Sequence, residues 1–134
     1  MLLVQIITRN KNSSIKNVRD DEFVEFDKAS LIVSRPGNIS KYYWQDMQDV
    51  IIRIYDFNGE VSVGGDNITS TSYGTLNYVS FQLKSEPHRY HFYLSKSTDK
   101  ESVIDLVKEE IEPILRSSGI LKAIYIRETD KLRN

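Results

Sequence analysis

The chain has 134 residues and a mass of 15.6 kDa, enough for one domain and too little for two ordinary ones. Hydrophobic residues at 40% and charged residues at 28% give ordinary globular composition and exclude a chain disordered throughout. Eighteen Lys and Arg against nineteen Asp and Glu leave a net charge of −1, without the basic excess of a nucleic-acid binder, and the lack of cysteine excludes disulfides and thiol chemistry.

No apolar run approaches the roughly 20 residues that span a bilayer, and residues 1–9 lack the features of a signal peptide. The expected location is therefore cytoplasmic. Thirty-one β-branched residues stand against two Ala and ten Leu, a bias toward pleated structure. Residues 1–134 read as a single domain, with strands over about 2–95 and one helix near the C-terminus.

In chain order, Leu2 to Thr8 is the first predicted strand, followed by a polar loop over residues 9–21. Residues 22–26 and 31–33 read as short strands joined by a hairpin turn, and Pro36-Gly37 suits a type II turn. Residues 40–44 resume extended structure. In the strand Val50 to Phe57, Val50, Ile52 and Ile54 share a face, and Asn58-Gly59 predicts a type I′ hairpin to a returning strand over 60–63. Val79, Phe81 and Leu83, then Tyr90, Phe92 and Leu94, alternate with polar residues, which predicts an antiparallel hairpin turning at 85–88.

A helix is expected over about 99–115. Thr98-Asp-Lys-Glu101 matches a capping box, and Val103, Ile104, Val107, Ile111, Ile114 and Leu115 form an apolar stripe that Pro113 should kink or stop. Gly119 is placed to terminate the helix, and 120–126 reads as a last strand. The fold class is mainly β: a small bent antiparallel barrel or sandwich of about seven strands, capped by one amphipathic helix.

Tyr43-Trp44-Gln45-Asp46-Met47 running into the strand Val50–Tyr55 resembles the aromatic-acidic-aliphatic step of bacterial pleckstrin-homology-like domains. The Phe81/Phe92 hairpin leading into a helix resembles the end of that fold, and the likeness spans roughly residues 22–116. It implies a seven-stranded bent barrel closed by a helix, and no particular activity.

No nucleophile elbow, phosphate-binding loop, paired-histidine zinc motif or calcium loop occurs, so neither a metal nor a cofactor is expected. Gly64-Gly65-Asp66 reads as a turn. His88 and His91, three apart on a strand, face opposite sides. The acidic runs Asp20-Asp21-Glu22 and Glu109, Glu110 and Glu112 read as solvated faces.

Three functional readings follow. The first is a non-enzymatic binding or scaffolding module that holds a protein partner, or a second copy, through Tyr42, Tyr43 and Trp44, since consecutive strand residues cannot all face the core. The alternative follows from the resemblance: Arg9, Lys11, Lys16 and Arg19 in the first loop, like the cations of lipid-binding relatives, would hold an anionic headgroup at a membrane surface. A small-ligand enzyme, with Tyr73, Tyr78, Arg89, Tyr90 and His91 around a barrel mouth, is the third.

Overall fold

The computed structural model describes residues 2–7 and 18–129, with side chains from residue 22 onward. Ten strands occur among the described residues: β1 Leu2–Ile7, β2 Val18–Phe26, β3 Ser30–Arg35, β4 Asn38–Tyr43, β5 Gln48–Ile54, β6 Asn58–Val63, β7 Thr69–Tyr73, β8 Asn77–Leu83, β9 Glu86–Tyr93 and β10 Leu121–Ile126. Eight of them form one sheet in the order β10-β5-β8-β9-β1-β2-β3-β4, while β6 and β7 form a separate ribbon. The helical segment comprises α1, Ser97–Leu106, a π turn, Val107–Ile111, and α2, Glu112–Ser117.

Mainly β architecture with one C-terminal helical segment is as expected, but the barrel does not close. Strands β10 and β4 end the sheet without pairing with each other among the described residues. On the inner face of the sheet, Phe26 on β2 meets Phe92 on β9 across the intervening β1, edge to face at 5.2 Å. Helix α2 and the 3-10 turn Trp44–Asp46 lie in the remaining gap, where closing hydrogen bonds would otherwise have to run.

Alternation decides which side chains enter the core. Val24, Phe26, Leu31, Val33, Val50, Ile52, Ile54, Val79, Phe81 and Phe92 are all buried, each on the inward side of its strand. Val103, Val107, Ile111 and Leu115 complete this core from the helix. A strict four-residue repeat overshoots an α-helical turn by about 40° per step. The π turn, in which the Glu112 amide donates to the Val107 carbonyl, takes up that excess and keeps all four residues facing the sheet. It also resolves Pro113, which follows directly and neither stops the helix nor needs an amide partner.

The helix starts earlier than its sequence suggests. Lys96 occupies the N-cap position, no side chain caps the helix, and Thr98 lies inside the first turn. The capping box does not form. Ser95 Oγ instead lies 2.7 Å from Asp99 Oδ2, and the register turns Lys100 inward. At the other end Gly119, at φ +68°, closes a Schellman motif, with the Gly119 amide donating to Arg116 and the Ile120 amide to Leu115. The chain then enters β10, which pairs parallel with β5, the one parallel pair among the described residues of a sheet expected to be antiparallel throughout.

Two turns and one strand start differ from expectation. The β8–β9 hairpin turns at Lys84-Ser85, both at positive φ, so Glu86, Pro87 and His88 belong to β9. Strand β2 begins at Val18, which places Asp20, Asp21, Glu22 and the backbone of Arg19 inside a strand; Glu22 is buried, not solvated. Asn58-Gly59 makes no β5–β6 hairpin. Only Gly59 has positive φ, the Asn58 amide donates to the Leu94 carbonyl, and β6 pairs with β7.

A buried polar network causes that departure. Asp56 and Asn77 are fully buried. Asn77 Oδ1 accepts from the amides of Tyr55 at 2.7 Å and Asp56 at 3.1 Å, while its Nδ2 donates to the Asp56 and Gly74 carbonyls. Asp56 accepts from the amides of Gly74 and Leu76. These bonds replace the ladder where the chain leaves β5 and where it returns before β8. Gly74, at φ +77°, lies against the Leu94 carbonyl and the Asn58 amide, leaving no room for a Cβ.

A second buried group joins the ribbon to the helix. Lys100 Nζ donates to both Glu60 oxygens, at 2.9 and 3.1 Å, and Arg127 lies 3.5 Å from Glu60.

Asn77→Ala should strand several buried backbone groups, each costing about 1–3 kcal/mol, and so destabilise the protein by at least about 3 kcal/mol. Urea unfolding should show the midpoint falling by at least about 1 M at unchanged m-value. Lys100→Met leaves the Glu60 carboxylate buried and should cost about 3–5 kcal/mol, whereas the double variant with Glu60→Leu should recover much of the loss. A double variant no more stable than Lys100→Met would show that the pair acts through packing alone.

Candidate functional site

The three consecutive aromatics at the end of β4 take three different environments. Tyr42 points inward, its hydroxyl 2.8 Å from that of Tyr90 and its ring against Phe81, His88 and Tyr90 at 5.3–5.9 Å. Trp44 is buried, stacks on Phe26 at 6.4 Å and donates from Nε1 to the Asp27 carbonyl at 2.8 Å. Tyr43 is the member that faces out, 43% exposed, with the Lys41 ammonium 5.2 Å from its ring centre.

Tyr43 stands at the rim of a groove of about 490 Å³ between the β2–β3 turn, the 3-10 turn and α2. Trp44 and Ala29 form its apolar wall, Ile114 closes it from the helix, and Lys28 and Gln45 stand at its edges. Strand β4, which leads into the groove, has no neighbour on its outer edge among the described residues. Ile39, 73% exposed, lies on the same outward side as Lys41 and Tyr43.

The expected headgroup site lies outside the described residues, and the expected barrel-mouth site is not assembled. Arg9, Lys11 and Lys16 lie outside the described residues, as does the side chain of Arg19. The five residues expected around a barrel mouth separate: Tyr90 faces the inner aromatic cluster, Tyr78, Arg89 and His91 the opposite sheet face, and Tyr73 the ribbon. His88 and His91 do lie on opposite sides, His88 stacked on Phe81 and His91 beside Tyr78. Gly64-Gly65-Asp66 forms the β6–β7 turn, with the Asn67 amide donating to the Gly64 carbonyl. Among the described residues no three His, Asp or Glu converge on a common point, and no helix is long and apolar enough to cross a membrane.

Sequence reasoning missed the contributions of Ala29 and Ile114 to the groove. Ile114 was legible as part of the apolar stripe, and its position one residue before Leu115 marks it as the stripe's edge. Also missed was the outward face of β5, β8, β9 and β10, where Arg53 and Arg127 pack on Tyr55 at 4.4 and 4.1 Å and Arg89 on Tyr78 at 4.4 Å. The odd positions of Val50–Phe57 carried that face in plain view.

No protein-family model matches the chain, and no curated protein matches its sequence. Among solved structures it is similar to the Inner Membrane Complex Sub-compartment Protein 3 of Toxoplasma gondii, at 13% identity and a TM-score of 0.41, over 83% of this chain and 73% of that one. A likeness this distant transfers nothing about function.

Burial first, then the hydrogen bond with Tyr42, raise the pKa of Tyr90 well above its ordinary value of 10.0. A phenol whose pKa is raised by folding adds stability that is complete below about pH 10 and is lost as pH climbs above it. Thermal melts from pH 9 to 11.5 should therefore show Tm falling more steeply in the wild type than in Tyr90→Phe. Parallel curves would mean that Tyr90 ionises as freely in the folded protein as in the unfolded chain.

Proposed function

We propose that the chain is a non-enzymatic binding module that takes an extended segment of a partner protein along β4, with one apolar side chain of that segment in the Trp44–Ile114 groove. The observation that carries this reading is the continuity of the free β4 edge with the groove. An extended peptide adding to a sheet edge gains affinity from main-chain hydrogen bonds and specificity from a pocket for alternate side chains. Exposed Tyr43 at the rim is the residue type that most often anchors such contacts. The order of strands followed by a helix supports a pleckstrin-homology-like scaffold, with the ribbon and parallel β10 as additions.

Selection of binders from a random displayed peptide library is the direct test. Selected peptides should shift NMR resonances of β4, residues 27–29 and Ile114. Tyr43→Ala should weaken them about 10-fold, and Ile114→Lys, which fills the groove with a charge, by more. Peptides insensitive to both substitutions, or a library yielding none above background, would remove this reading.

A further inference from the structure

The outward face of β10-β5-β8-β9 carries an arrangement of cations that the β4 edge does not involve. Cross-strand register puts Tyr125, Arg53, Tyr78 and His91 side by side in one row and Ile51, Ser80 and Arg89 in the next. Arg127 and Tyr55 lie beyond the first row, their contact closing at 4.1 Å. Three guanidiniums thus lie over two tyrosine rings. Stacking of this kind leaves the in-plane N–H donors of arginine free and reduces the rotamer freedom lost when they bind.

The arginine charge on these rows is largely uncompensated among the described residues. Among the described residues Arg53 and Arg89 have no carboxylate within ion-pair reach, and only Arg127 touches one, Glu60, from the buried side. The outward positions of both rows hold no Asp or Glu. At one end the face runs into a groove of about 380 Å³ whose lining includes Asp49, Arg89 and Lys122, with no ion pair between them, so cations outnumber the single acid there as well. A protein of net charge −1 that sets Arg53 and Arg89, without acidic partners among the described residues, on one face is built for a local anion, not for a polyanion attracted from afar.

We propose that this face docks an acidic segment of a partner protein, with Arg53 and Arg89 each offering a bidentate fork to a carboxylate. Planar forks match carboxylates, and their separation across three strands suits side chains spaced along a polypeptide. Tyr78 lies between them as the platform. Single-stranded nucleic acid would need several free ring faces for successive bases; the rings of Tyr55 and Tyr78 are covered by guanidinium, which leaves Tyr125 alone at the end of the row.

Fluorescence anisotropy of the full chain at low salt tests this with a labelled extended peptide bearing Glu at alternate positions, its Gln counterpart, and a single-stranded oligothymidylate of equal charge. The Glu peptide should bind and the Gln peptide should not. Arg53→Ala and Arg89→Ala should each weaken binding about 5-fold, and Arg53→Lys should fail to restore it, since an ammonium lacks the fork. Arg116→Ala, on the exposed side of α2, and Tyr43→Ala, on β4, should change nothing, which separates this surface from the groove. Equal binding of the Glu and Gln peptides, indifference to both arginine substitutions, or tighter binding of the oligonucleotide would overturn the proposal.

Discussion

Asp56 and Asn77, neither of which touches solvent, hold the molecule at the point where its chain breaks from the sheet and rejoins it. A strand that leaves a sheet normally exposes its last amides to water; here those amides are buried and must be satisfied by side chains. Two short polar groups meet that demand and in doing so fix how β5 ends and how β8 begins. Once β8 is aligned on β5, the alternation of Val79 and Phe81 with Tyr78 and Ser80 assigns every later side chain to the inner or the outer face. A slip of one residue would turn the arginine rows into the core.

The two proposed surfaces both descend from that assignment. Inward positions are filled by aliphatics and by the helix stripe, so polar and aromatic side chains that cannot enter the core collect outside. On β5, β8 and β9 those are arginine and tyrosine, which cover one another. On β4 they are Ile39, Lys41 and Tyr43, at an edge where Lys41 discourages indiscriminate strand pairing. The Lys100–Glu60 pair ties the ribbon to α1, and its burial makes that attachment specific in geometry though weak as a source of stability.

Much of this was legible in the residues. Strict alternation in Val79–Leu83 and Tyr90–Leu94 identified the inward side chains, because a period of two leaves one choice. Pro36-Gly37 and Gly119 marked their turns, since positive φ there excludes most other residues. Asn58-Gly59 misled because a turn dipeptide encodes local backbone preference, while the partner of the following strand depends on Asp56, Asn77 and Leu94, far away in sequence or hidden by burial. The Thr98 capping box failed for the same kind of reason: the register was set by Lys100 meeting Glu60, forty residues upstream. For the site, the exposure of Tyr43 followed from alternation with Tyr42 and Trp44. The groove beside it did not, since Ile114 reaches it only through a π turn that no local propensity announces.

The parallel pairing of β10 with β5 has a kinetic consequence. Ile126 lies beside Ile54, about seventy residues earlier, so the edge of the sheet closes only after the ribbon, the β8–β9 hairpin and the whole helical segment have taken their places. Until then the far edge of β5 is an open row of amides and carbonyls on a strand rich in isoleucine. On a ribosome, that row waits for nearly the last described residues to emerge, and the interval is when this chain is most vulnerable to pairing with the wrong strand.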